Sequence, residues 1–456
     1  MILIIDNNNN ILFYEKVVEQ WKERSGPEAL FLVFSKAKHR YLQDRGLNSV
    51  YLKRSEPTLS DVKERIASAE HHFKEFSFAQ CIANDRILKH YPYPKAERIL
   101  FDYASRFLGI LEKNDIRMIM GEITWGVELL FYRLANHEGI DYVDPLNLYA
   151  SSELRLTFFD AGHTSRYMEK IARMKINENE TVDHKRIIQN RKSEDINQKL
   201  GSKLRALGYE KWLRKISFLL KFRDSYDYRY SPVLKRKRIL QLLNKKIIGI
   251  FRRLLYAKQP PREPYFYFPL HIQPEATPDI VSLYYNDQVH LIRQLSKSLP
   301  IGSKLVIKEH PNGVGSRSAW ELYRIGGIEN VILVDHDTPS KNLIENSQGV
   351  VTVAGTAAIE ARYMNKPALV FSDIYFRERL NHIYRCYDFN QLPNFLKKFL
   401  SDTDFTETNM EAFVEWVHTS SFDCYIYDPF IDPEVLSNTN VTTFSKAVHD
   451  FYRSIR

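Results

Sequence analysis

Residues 351–361 have the composition of a turn that binds phosphate. They read Val-Thr-Val-Ala-Gly-Thr-Ala-Ala-Ile-Glu-Ala, an apolar strand that runs through a turn of small residues into a helix. Gly355 allows close approach of the backbone to a ligand, Thr356 is suited to cap the helix, and the first N–H groups of a helix attract an anion. Glu360, one turn further, is placed to accept hydrogen bonds from a ribose diol. The alternative is an ordinary strand-to-helix turn with a threonine cap.

A charged cluster follows an earlier strand of the same half of the chain. The apolar run 305–307 leads into Lys308, Glu309, His310 and Pro311. Residues at the carboxyl ends of parallel strands face the crevice in which doubly wound sheets bind ligands. We therefore expect His310 to donate to a phosphate oxygen, Lys308 to add positive charge, and Pro311 to fix the chain direction after the histidine. A loop without a binding role is the alternative.

A third strand end in this half carries His271, Gln273 and Glu275, within the sequence Phe-Pro-Leu-His-Ile-Gln-Pro-Glu at 268–275. Polar groups at three strand ends of one sheet can converge on one ligand, and this convergence predicts a nucleotide-binding half. His271 and Gln273 are candidates for substrate binding. Glu275 is a candidate for a catalytic carboxylate.

In the first half, a carboxylate follows a strand of the buried type. Residues 118–128 read Met-Ile-Met-Gly-Glu-Ile-Thr-Trp-Gly-Val-Glu, which places Glu122 just beyond the strand. A carboxylate facing a bound donor is suited to take a proton from an attacking hydroxyl group. We predict Glu122 as this general base, and the alternative is that it caps the helix that follows. Arg155, together with Ser151 and Ser152, follows another strand end and is a candidate for binding an anionic substrate group.

These segments need a framework of two parallel sheets. Apolar runs alternate with helical patterns through the first 150 residues, and the alternation restarts after Pro260-Pro261, which predicts βαβ units in two halves. The predicted strands are 2–5, 29–34, 49–52, 116–120 and 142–143 in the first half, and 265–268, 304–308, 331–334, 349–353 and 368–371 in the second. The predicted helices are 11–23, 61–76, 281–298, 341–346, 357–364 and 445–454.

The predicted domains are an N-terminal Rossmann-like domain at 1–165, a basic helical insertion at 166–262, a nucleotide-binding domain at 263–385, and a helical tail at 386–456 that crosses back. The expected class is α/β.

Three motifs carry a family resemblance. In this order, Phe-Pro-Leu-His-x-Gln-Pro-Glu, Lys-Glu-His-Pro and Gly-Thr-Ala-x-x-Glu-Ala resemble those of capsule polysaccharide biosynthesis proteins, a group that includes β-Kdo transferases and is related in fold to bacterial sialyltransferases. The resemblance covers mainly 263–375, with a weaker patch at 121–128. It implies the GT-B architecture, with two Rossmann-like domains facing a cleft, and a CMP-activated sugar used without a metal or cofactor. It also implies that His310 and Pro311 hold the CMP and that Thr352, Gly355 and Thr356 hold its phosphate.

Positive charge is concentrated between Lys185 and Lys258, where 22 Lys and Arg accompany 5 Asp and Glu, whereas the whole chain has a net charge of +9. From Lys235 onward, apolar residues recur at three-to-four spacing among the basic ones, which predicts a basic amphipathic helix. Such a helix is suited to an anionic membrane surface. The alternative is a helix packed between the two domains with a solvated charged face. No nucleic-acid-binding motif is visible, so we expect no nucleic acid partner.

The remaining composition is that of a cytoplasmic protein. We expect neither a signal peptide nor a membrane-spanning helix, because no uncharged apolar run reaches about 18 residues. Three widely spaced cysteines indicate neither a disulfide framework nor a zinc site. Asp335-His336-Asp337 resembles a metal-binding Asp-x-Asp motif, but it follows a strand and precedes a good helix start. We interpret it as a capping loop and expect no metal.

Together these features predict a cytoplasmic glycosyltransferase, peripheral on the inner face of the cell membrane. Its expected reaction moves a sugar, best interpreted as Kdo or a related acidic sugar from a CMP donor, onto a glycolipid or a surface polysaccharide such as lipopolysaccharide. Two alternatives stay open. One is a transferase of polyol phosphate from a CDP-linked donor, and the other is a membrane-associated assembly protein without turnover.

Overall fold

The computed structural model describes residues 1–6, 10–24, 26–52, 61–148, 154–175, 182–193, 232–402 and 404–455. These residues form two six-stranded sheets flanked by helices, so the predicted α/β class is confirmed. Most strands are covered on both faces, which explains why they read as nearly continuous apolar runs.

The first sheet lies between residues 2 and 159. Its strands are β1 (Ile2–Asp6), β2 (Ala29–Val33), β3 (Ser49–Tyr51), β4 (Met118–Met120), β5 (Asp141–Leu148) and β6 (Arg155–Phe159). They are ordered β3-β2-β1-β4-β5-β6, and neighbours are parallel except for the antiparallel pair β5 and β6. The strands predicted in this half are present, and β6 is an additional strand.

Helices connect these strands and cover the sheet. They are α1 (Ile11–Glu23), α2 (Lys36–Gln43), α3 (Val62–His72), α4 (Phe78–Ala83), α5 (Tyr93–Lys113), α6 (Gly126–His137) and α7 (Arg166–Met174). Helix α1 has the predicted bounds, and its Phe13, Val17 and Trp21 side chains are buried against the sheet. The helix predicted at 61–76 ends earlier, because Phe73 adopts an extended conformation.

Two helices of the segment between the sheets are described, α8 (His184–Ser193) and α9 (Pro232–Leu255). The prediction of a long basic helix is confirmed by α9, whereas most of the basic segment before it lies outside the described residues. Helix α9 packs against the second half of the chain, where Ile248 and Leu255 enter the core. Among the described residues, no helix is long and apolar enough to cross a membrane.

The second sheet repeats the strand order of the first. Its strands are β7 (Tyr265–Leu270), β8 (Lys304–Glu309), β9 (Val331–Val334), β10 (Gly349–Thr352), β11 (Ala368–Val370) and β12 (Ile383–Arg385). They are all parallel and ordered β12-β11-β10-β7-β8-β9. Counted from the first strand of each sheet, both orders are 3-2-1-4-5-6, the order of dinucleotide-binding Rossmann folds. Two Rossmann-like halves of this kind form the predicted GT-B architecture.

The helices of the second half are α10 (Gln288–Ser298), α11 (Ala319–Gly326), α12 (Ser340–Glu345), α13 (Ala357–Tyr363), α14 (Leu392–Ser401) and α15 (Glu407–Thr419). The helix predicted from Val281 begins later, at Gln288, because the side chain of Asp287 accepts a hydrogen bond from the His290 N–H and caps it there.

The last helix, α16 (Asn438–Ser454), packs on α1 of the first half. The Trp21 indole donates to the Ser445 carbonyl oxygen at 3.1 Å, and the rings of Phe13 and Phe444 meet edge to face with centroids 4.9 Å apart. It begins earlier than the predicted 445–454, because the Ser437 side chain accepts from the Asn440 N–H. The first core therefore contains apolar side chains from both ends of the chain.

Candidate functional site

Two neighbouring strands of the second sheet end in residues that contact each other. The Nε2 atom of His271, directly after β7, lies 3.0 Å from Oγ1 of Thr352, the last residue of β10. The same Oγ1 atom accepts from the Gly355 N–H at 3.3 Å. A Cβ atom on Gly355 would lie only 2.8 Å from Oγ1 of Thr352 and 2.9 Å from Cε1 of His271. Glycine is therefore required here by space.

The main chain of His271 is held in place by two side chains. Gln288 accepts from the His271 N–H at 2.7 Å and donates to its carbonyl oxygen at 3.2 Å. The Arg317 guanidinium, which is almost fully buried, donates to the same oxygen at 3.3 Å. Burial lowers the pKa of His271 to about 4, and the positive charges of Arg317 and His310 add to this effect. The ring is therefore neutral at physiological pH.

His310 follows β8 and lies close enough to His271 for its charge to act on that ring. Its Nδ1 atom accepts from the Asn312 N–H at 3.2 Å, within a short turn at Pro311–Gly313. In the neutral ring the proton is then on Nε2, which makes this atom a hydrogen-bond donor. The structure thus brings together the ends of β7, β8 and β10 around His271, His310 and Thr352, as the sequence predicts.

The two residues before His310 point elsewhere. The buried Lys308 amine donates to the Thr338 carbonyl oxygen at 2.9 Å and to Ser340 Oγ at 2.6 Å. Glu309 is also buried and accepts from the Tyr256 hydroxyl group on the opposite side. Their prediction as direct nucleotide ligands needs correction, because side chains inside a strand alternate between its two covered faces.

Of three further candidates, Gln273 and Glu360 have defined side-chain partners and Thr356 does not cap its helix. The Gln273 amide donates to Asp279 at 3.2 Å and to the Asn286 carbonyl oxygen at 2.8 Å, so it shapes its own loop. Thr356 stands at the start of α13 but makes no side-chain capping bond, contrary to the expected cap. Glu360, in the first turn of α13, forms an ion pair with the buried Arg191 of α8 at 3.5 Å.

Carboxylates of the first sheet lie at the end of β1, beyond the end of β4 and inside β5. Asp6 ends β1 and pairs with Lys38 at 2.5 Å. Glu122 lies two residues beyond β4 and accepts from the Asn10 amide at 3.2 Å. Asp144, in β5, is 2% exposed and accepts from the N–H of Ile123, the residue after Glu122, at 3.0 Å. Glu122 is thus part of an acidic cluster.

Proximity within this cluster changes the proton affinity of Asp144. Burial raises its pKa well above the usual value, the Glu122 charge raises it further, and the Ile123 N–H partly offsets both. The pKa of the buried Tyr14 hydroxyl is raised by burial and by the charges of Glu122, Asp144 and Asp6. Burial and the Glu122 charge therefore both disfavour the charged form of Asp144.

An arginine lies between the two halves. The Arg86 guanidinium carbon is 5.1 Å from the ring centroid of Trp125, which lies three residues after Glu122. The same guanidinium lowers the pKa of Glu275 in the second half, although burial raises that pKa by more. Arg86 therefore connects the loop of Glu122 with the loop of Glu275 across the cleft.

Polar contacts around Arg86 join the halves directly. Asn286 donates to Asn84 Oδ1 at 2.7 Å, and Gln80 donates to the Tyr284 hydroxyl group at 2.6 Å. The turn itself is fixed by Asp85, whose carboxylate accepts from three backbone N–H groups, those of Ile87, Leu88 and Gly126.

Arg155 does not reach this cleft. It is the first residue of β6, is 2% exposed, and donates to Ser421 Oγ at 2.8 Å and to the His418 carbonyl oxygen at 3.3 Å. The prediction that it binds a substrate anion is corrected accordingly, because its charge holds the segment that follows α15. Ser151 and Ser152 lie outside the described residues.

The Asp335-His336-Asp337 segment places possible metal-ligand atoms within 4.8 Å of one another. Arg252 of α9 forms ion pairs at 2.5 Å with both Asp335 and Asp337. Asp335 also accepts from the Asp337 N–H at 2.9 Å within the turn. These contacts give the acidic groups a protein partner in place of a cation. The predicted capping role is wrong, because the N-cap of α12 is Pro339 and no side chain caps this helix.

Arg86, Arg317, Gln288 and Asp144 belong to the site but have no sequence motif. Each gains its position from a contact with another segment, such as the bond of Arg317 to the His271 carbonyl oxygen, 46 residues away. His271, in contrast, could be predicted from the sequence, because its place directly after a strand marks it as a candidate site residue.

Comparison with known proteins agrees with the resemblance seen in the motifs. Residues 234–404 match the family described as "Capsule polysaccharide biosynthesis protein". The matched segment contains His271, His310, Thr352 and Gly355. The capsule polysaccharide export protein KpsS of Escherichia coli is 35% identical over 97 residues, which are 20% of this chain and 25% of that protein. The chain thus matches about a quarter of the length of this curated relative.

Solved structures with a related arrangement show low sequence identity. KpsC of Thermosulfurimonas dismutans, a β-Kdo 2,7 transferase, is 14% identical, with 67% of this chain and 78% of that chain covered and a TM-score of 0.31. HepE of Anabaena, in complex with UDP and glucose, is 10% identical over 99% of both chains, with a TM-score of 0.30.

Proposed function

We propose that this protein is a glycosyltransferase that transfers a sugar from a nucleotide donor to a glycan or glycolipid acceptor of a bacterial surface polysaccharide. The observation that carries the proposal is the cluster of His271, His310, Thr352 and Gly355 at the ends of three adjacent strands. It lies where the strand order of a Rossmann-like sheet reverses, which is where such sheets bind ligands. The match of residues 234–404 to the family described as "Capsule polysaccharide biosynthesis protein" supports the same conclusion.

In the proposed reaction, the second half stabilises the departing nucleotide phosphate. His310 Nε2 is the proposed donor to a phosphate oxygen, and the close approach allowed by Gly355 lets backbone N–H groups contribute. Arg317 adds a buried positive charge behind His271. Fixed donors and charges of this kind can stabilise developing negative charge without a metal ion. We therefore propose a metal-independent reaction.

The first half supplies the proposed general base. Glu122 is partly exposed at the end of β4, whereas its neighbour Asp144 is buried, which disfavours its charged form. A protonated Asp144 leaves Glu122 as the carboxylate that can accept the proton of the acceptor hydroxyl group. Glu275 is the second candidate, since its loop approaches the same place from the other half.

The proposed donor is a CMP-linked acidic sugar, with Kdo as the best candidate. The resemblance of Lys-Glu-His-Pro and Gly-Thr-Ala-x-x-Glu-Ala to the motifs of CMP-using enzymes supports cytidine. Transfer of a polyol phosphate from a CDP-linked donor is the competing reaction, because His310 would serve its phosphates equally well.

An anionic membrane surface is the proposed partner of α9. One face of this helix is anchored by Ile248 and Leu255, whereas Leu242, Ile250 and Leu254 are 65%, 77% and 70% exposed. Arg and Lys side chains lie among these apolar residues. The adjacent helix α11 exposes two stacked aromatic rings, Trp320 and Tyr323. Exposed apolar and aromatic side chains with flanking positive charge are typical of helices that lie in a membrane interface.

Titration calorimetry with CMP, UDP and GDP tests the nucleotide, and incubation with CMP-Kdo and with a CDP-linked polyol tests the reaction. We expect CMP to bind most tightly, His310→Ala to weaken it by about 1.5–3 kcal/mol, and CMP to be released from CMP-Kdo in the presence of acceptor. An exposed histidine on α10, changed in His290→Ala, serves as the control. Preferred binding of UDP or GDP would overturn the CMP assignment, and tight binding without any transfer would indicate an assembly protein.

A further inference from the structure

We propose that Arg86 forms an anion subsite in the cleft, which binds a carboxylate or phosphate group carried by the sugar substrate. The inference rests on the proposed glycosyltransferase function, because it concerns what enters the same cleft. It is carried by the position of Arg86 between the halves, by the contacts that fix its backbone, and by an unsatisfied nitrogen atom of its side chain.

The backbone of Arg86 is held on both sides. The Asp85 carboxylate accepts from Ile87 and Leu88 at 2.8 Å each and from Gly126, the first residue of α6, at 2.9 Å. The Arg86 carbonyl oxygen accepts from the Lys237 amine of α9 at 3.2 Å. A Cβ atom on Gly126 would overlap the Cys81 carbonyl oxygen, so α6 and the turn are closely packed. The backbone that carries the Arg86 guanidinium is therefore held firmly in place.

The guanidinium itself has little to bind within the protein. It lies over the face of Trp125, which orients its plane, and its Nε atom is buried without a hydrogen-bond partner in the described part of the chain. No carboxylate of the described residues lies within ion-pair distance of it. The nearby acids Asp85 and Asp279 accept backbone or amide N–H groups instead. A buried donor without a partner is costly, and an incoming oxyanion would satisfy it.

Other positive charges surround this position. Lys237 and Lys89 lie near enough to each other for their charges to interact, and both act on His90. Burial, followed by the Lys237 and Lys89 charges, lowers the pKa of His90. The turn at 85–90 and the beginning of α9 thus make an electropositive rim on the cleft.

The position of Arg86 gives it a different role from that of the proposed nucleotide-binding cluster, which consists of His271, His310, Thr352 and Gly355. Arg86 lies beside Trp125 and Glu275, the loops of the two candidate carboxylates, whereas the nucleotide phosphate is assigned to His310 and Gly355. An anion bound by Arg86 therefore belongs to the sugar portion of a substrate. A planar guanidinium fork matches a carboxylate or phosphate group through two parallel hydrogen bonds.

The test is an anion titration that needs neither donor nor turnover. The protein is titrated at constant ionic strength with glucuronate, with glucose, which has the same ring without a carboxylate, and with inorganic phosphate. Tryptophan fluorescence reports binding, and a Trp125→Phe variant identifies the part of the signal that comes from beside Arg86. The variants are Arg86→Gln, Arg86→Lys and the control Arg45→Gln, which changes a distant arginine that also covers a ring, that of Tyr41.

We expect glucuronate or phosphate, but not glucose, to give a saturable signal. Arg86→Gln should weaken the affinity for the anion at least tenfold, and Arg86→Lys should weaken it less. Arg45→Gln should leave this affinity unchanged. Tighter binding of glucuronate identifies a sugar carboxylate as the ligand, and tighter binding of phosphate identifies a phosphorylated acceptor. The proposal is overturned if neither anion binds, or if Arg86→Gln binds both as the parent does. The CMP affinity of Arg86→Gln, measured separately, should differ less than twofold from that of the parent. A parent that binds none of CMP, UDP and GDP would refute the proposed glycosyltransferase function, and the anion titration would still decide the subsite.

Discussion

His271 and Thr352 are 81 residues apart in the chain, and the 3.0 Å contact between Nε2 and Oγ1 joins the carboxyl ends of the adjacent strands β7 and β10. These are the first and fourth strands of the second sheet, between which the strand order reverses. The contact gives Thr352 Oγ1 two partners, because Gly355 donates to it as well. The phosphate turn and the His271 loop are therefore parts of one structure, and a change in one should alter the other.

Gly355→Ala should weaken CMP binding by about tenfold or more, because the added methyl group must displace His271 or Thr352, which lie 2.9 and 2.8 Å from its position. Calorimetry with CMP measures the effect. Gly109→Ala in α5 is a matched control, since nothing lies within 4 Å of its Cβ position. That control should bind CMP normally and be more stable by about 0.4–1 kcal/mol. Normal CMP affinity in Gly355→Ala would place the nucleotide elsewhere.

The neutral His271 should make the protein sensitive to mild acid. Its pKa is lowered from 6.5 to about 4 in the folded state, mainly by burial, so the unfolded chain takes up this proton first as the pH falls. The contribution of the neutral His271 to the free energy of unfolding is fully present above pH 6.5. It decreases by up to about 3 kcal/mol as the pH falls toward 4.

Urea unfolding at several pH values between 7 and 4.5 measures this loss, and His271→Gln should show a smaller one. The exposed His290→Gln is the control and should follow the parent. Equal acid sensitivity in all three proteins would mean that other groups cause it.

Glu122→Gln should reduce turnover by about 10²–10⁴-fold, because glutamine keeps the shape but cannot accept the proton. CMP affinity should remain within twofold, since the nucleotide cluster lies in the other half. Glu329→Gln, at an exposed turn, is the control, and Glu275→Gln tests the second candidate. Near-normal turnover in Glu122→Gln combined with a large loss in Glu275→Gln would transfer the role of base to Glu275.

Ile250→Glu combined with Leu254→Glu should reduce binding to vesicles that contain anionic phospholipid by about two orders of magnitude. Each residue would otherwise bury an apolar side chain worth about 1.5–3 kcal/mol in the interface. Vesicle sedimentation measures the binding. Ile301→Glu is a matched control, because Ile301 is fully exposed in a turn before β8. If the parent does not sediment with the vesicles, or if the control loses binding equally, α9 is not the membrane contact.

The strand ends could be predicted from sequence because buried parallel strands are short apolar runs with clear limits. The direction of each side chain near such an end was harder to predict. His271 and His310 directly follow the last residues of β7 and β8. Lys308 and Glu309 are still inside β8, so the alternation of the strand sends them to opposite faces. A difference of one residue in where the strand ends therefore decides whether a side chain is a candidate for ligand binding or makes a structural contact.

The positions of Arg155 and Arg86 could not be predicted from the sequence pattern. Arg155 begins the antiparallel β6, and its partners at 418–421 are more than 260 residues away. Arg86 stands in an irregular turn whose position depends on α6 and α9. Neither environment has a local sequence signal, because both arise from contacts between distant segments.

The packing of α16 on α1 has a consequence for the order in which the protein matures on the ribosome. Helix α1 ends at Glu23, and its partner does not begin until Asn438, so 415 residues must be added before the side of the first sheet that α1 covers can be closed. At about 5–20 residues per second this takes roughly 20–80 s. During that interval Phe13 and Trp21 lack the Phe444 ring and the Ser445 carbonyl oxygen, whereas residues 232–402 already contain the whole second sheet. The half that emerges first is thus the last to be completed, and its core stays incomplete until α16 has been synthesised.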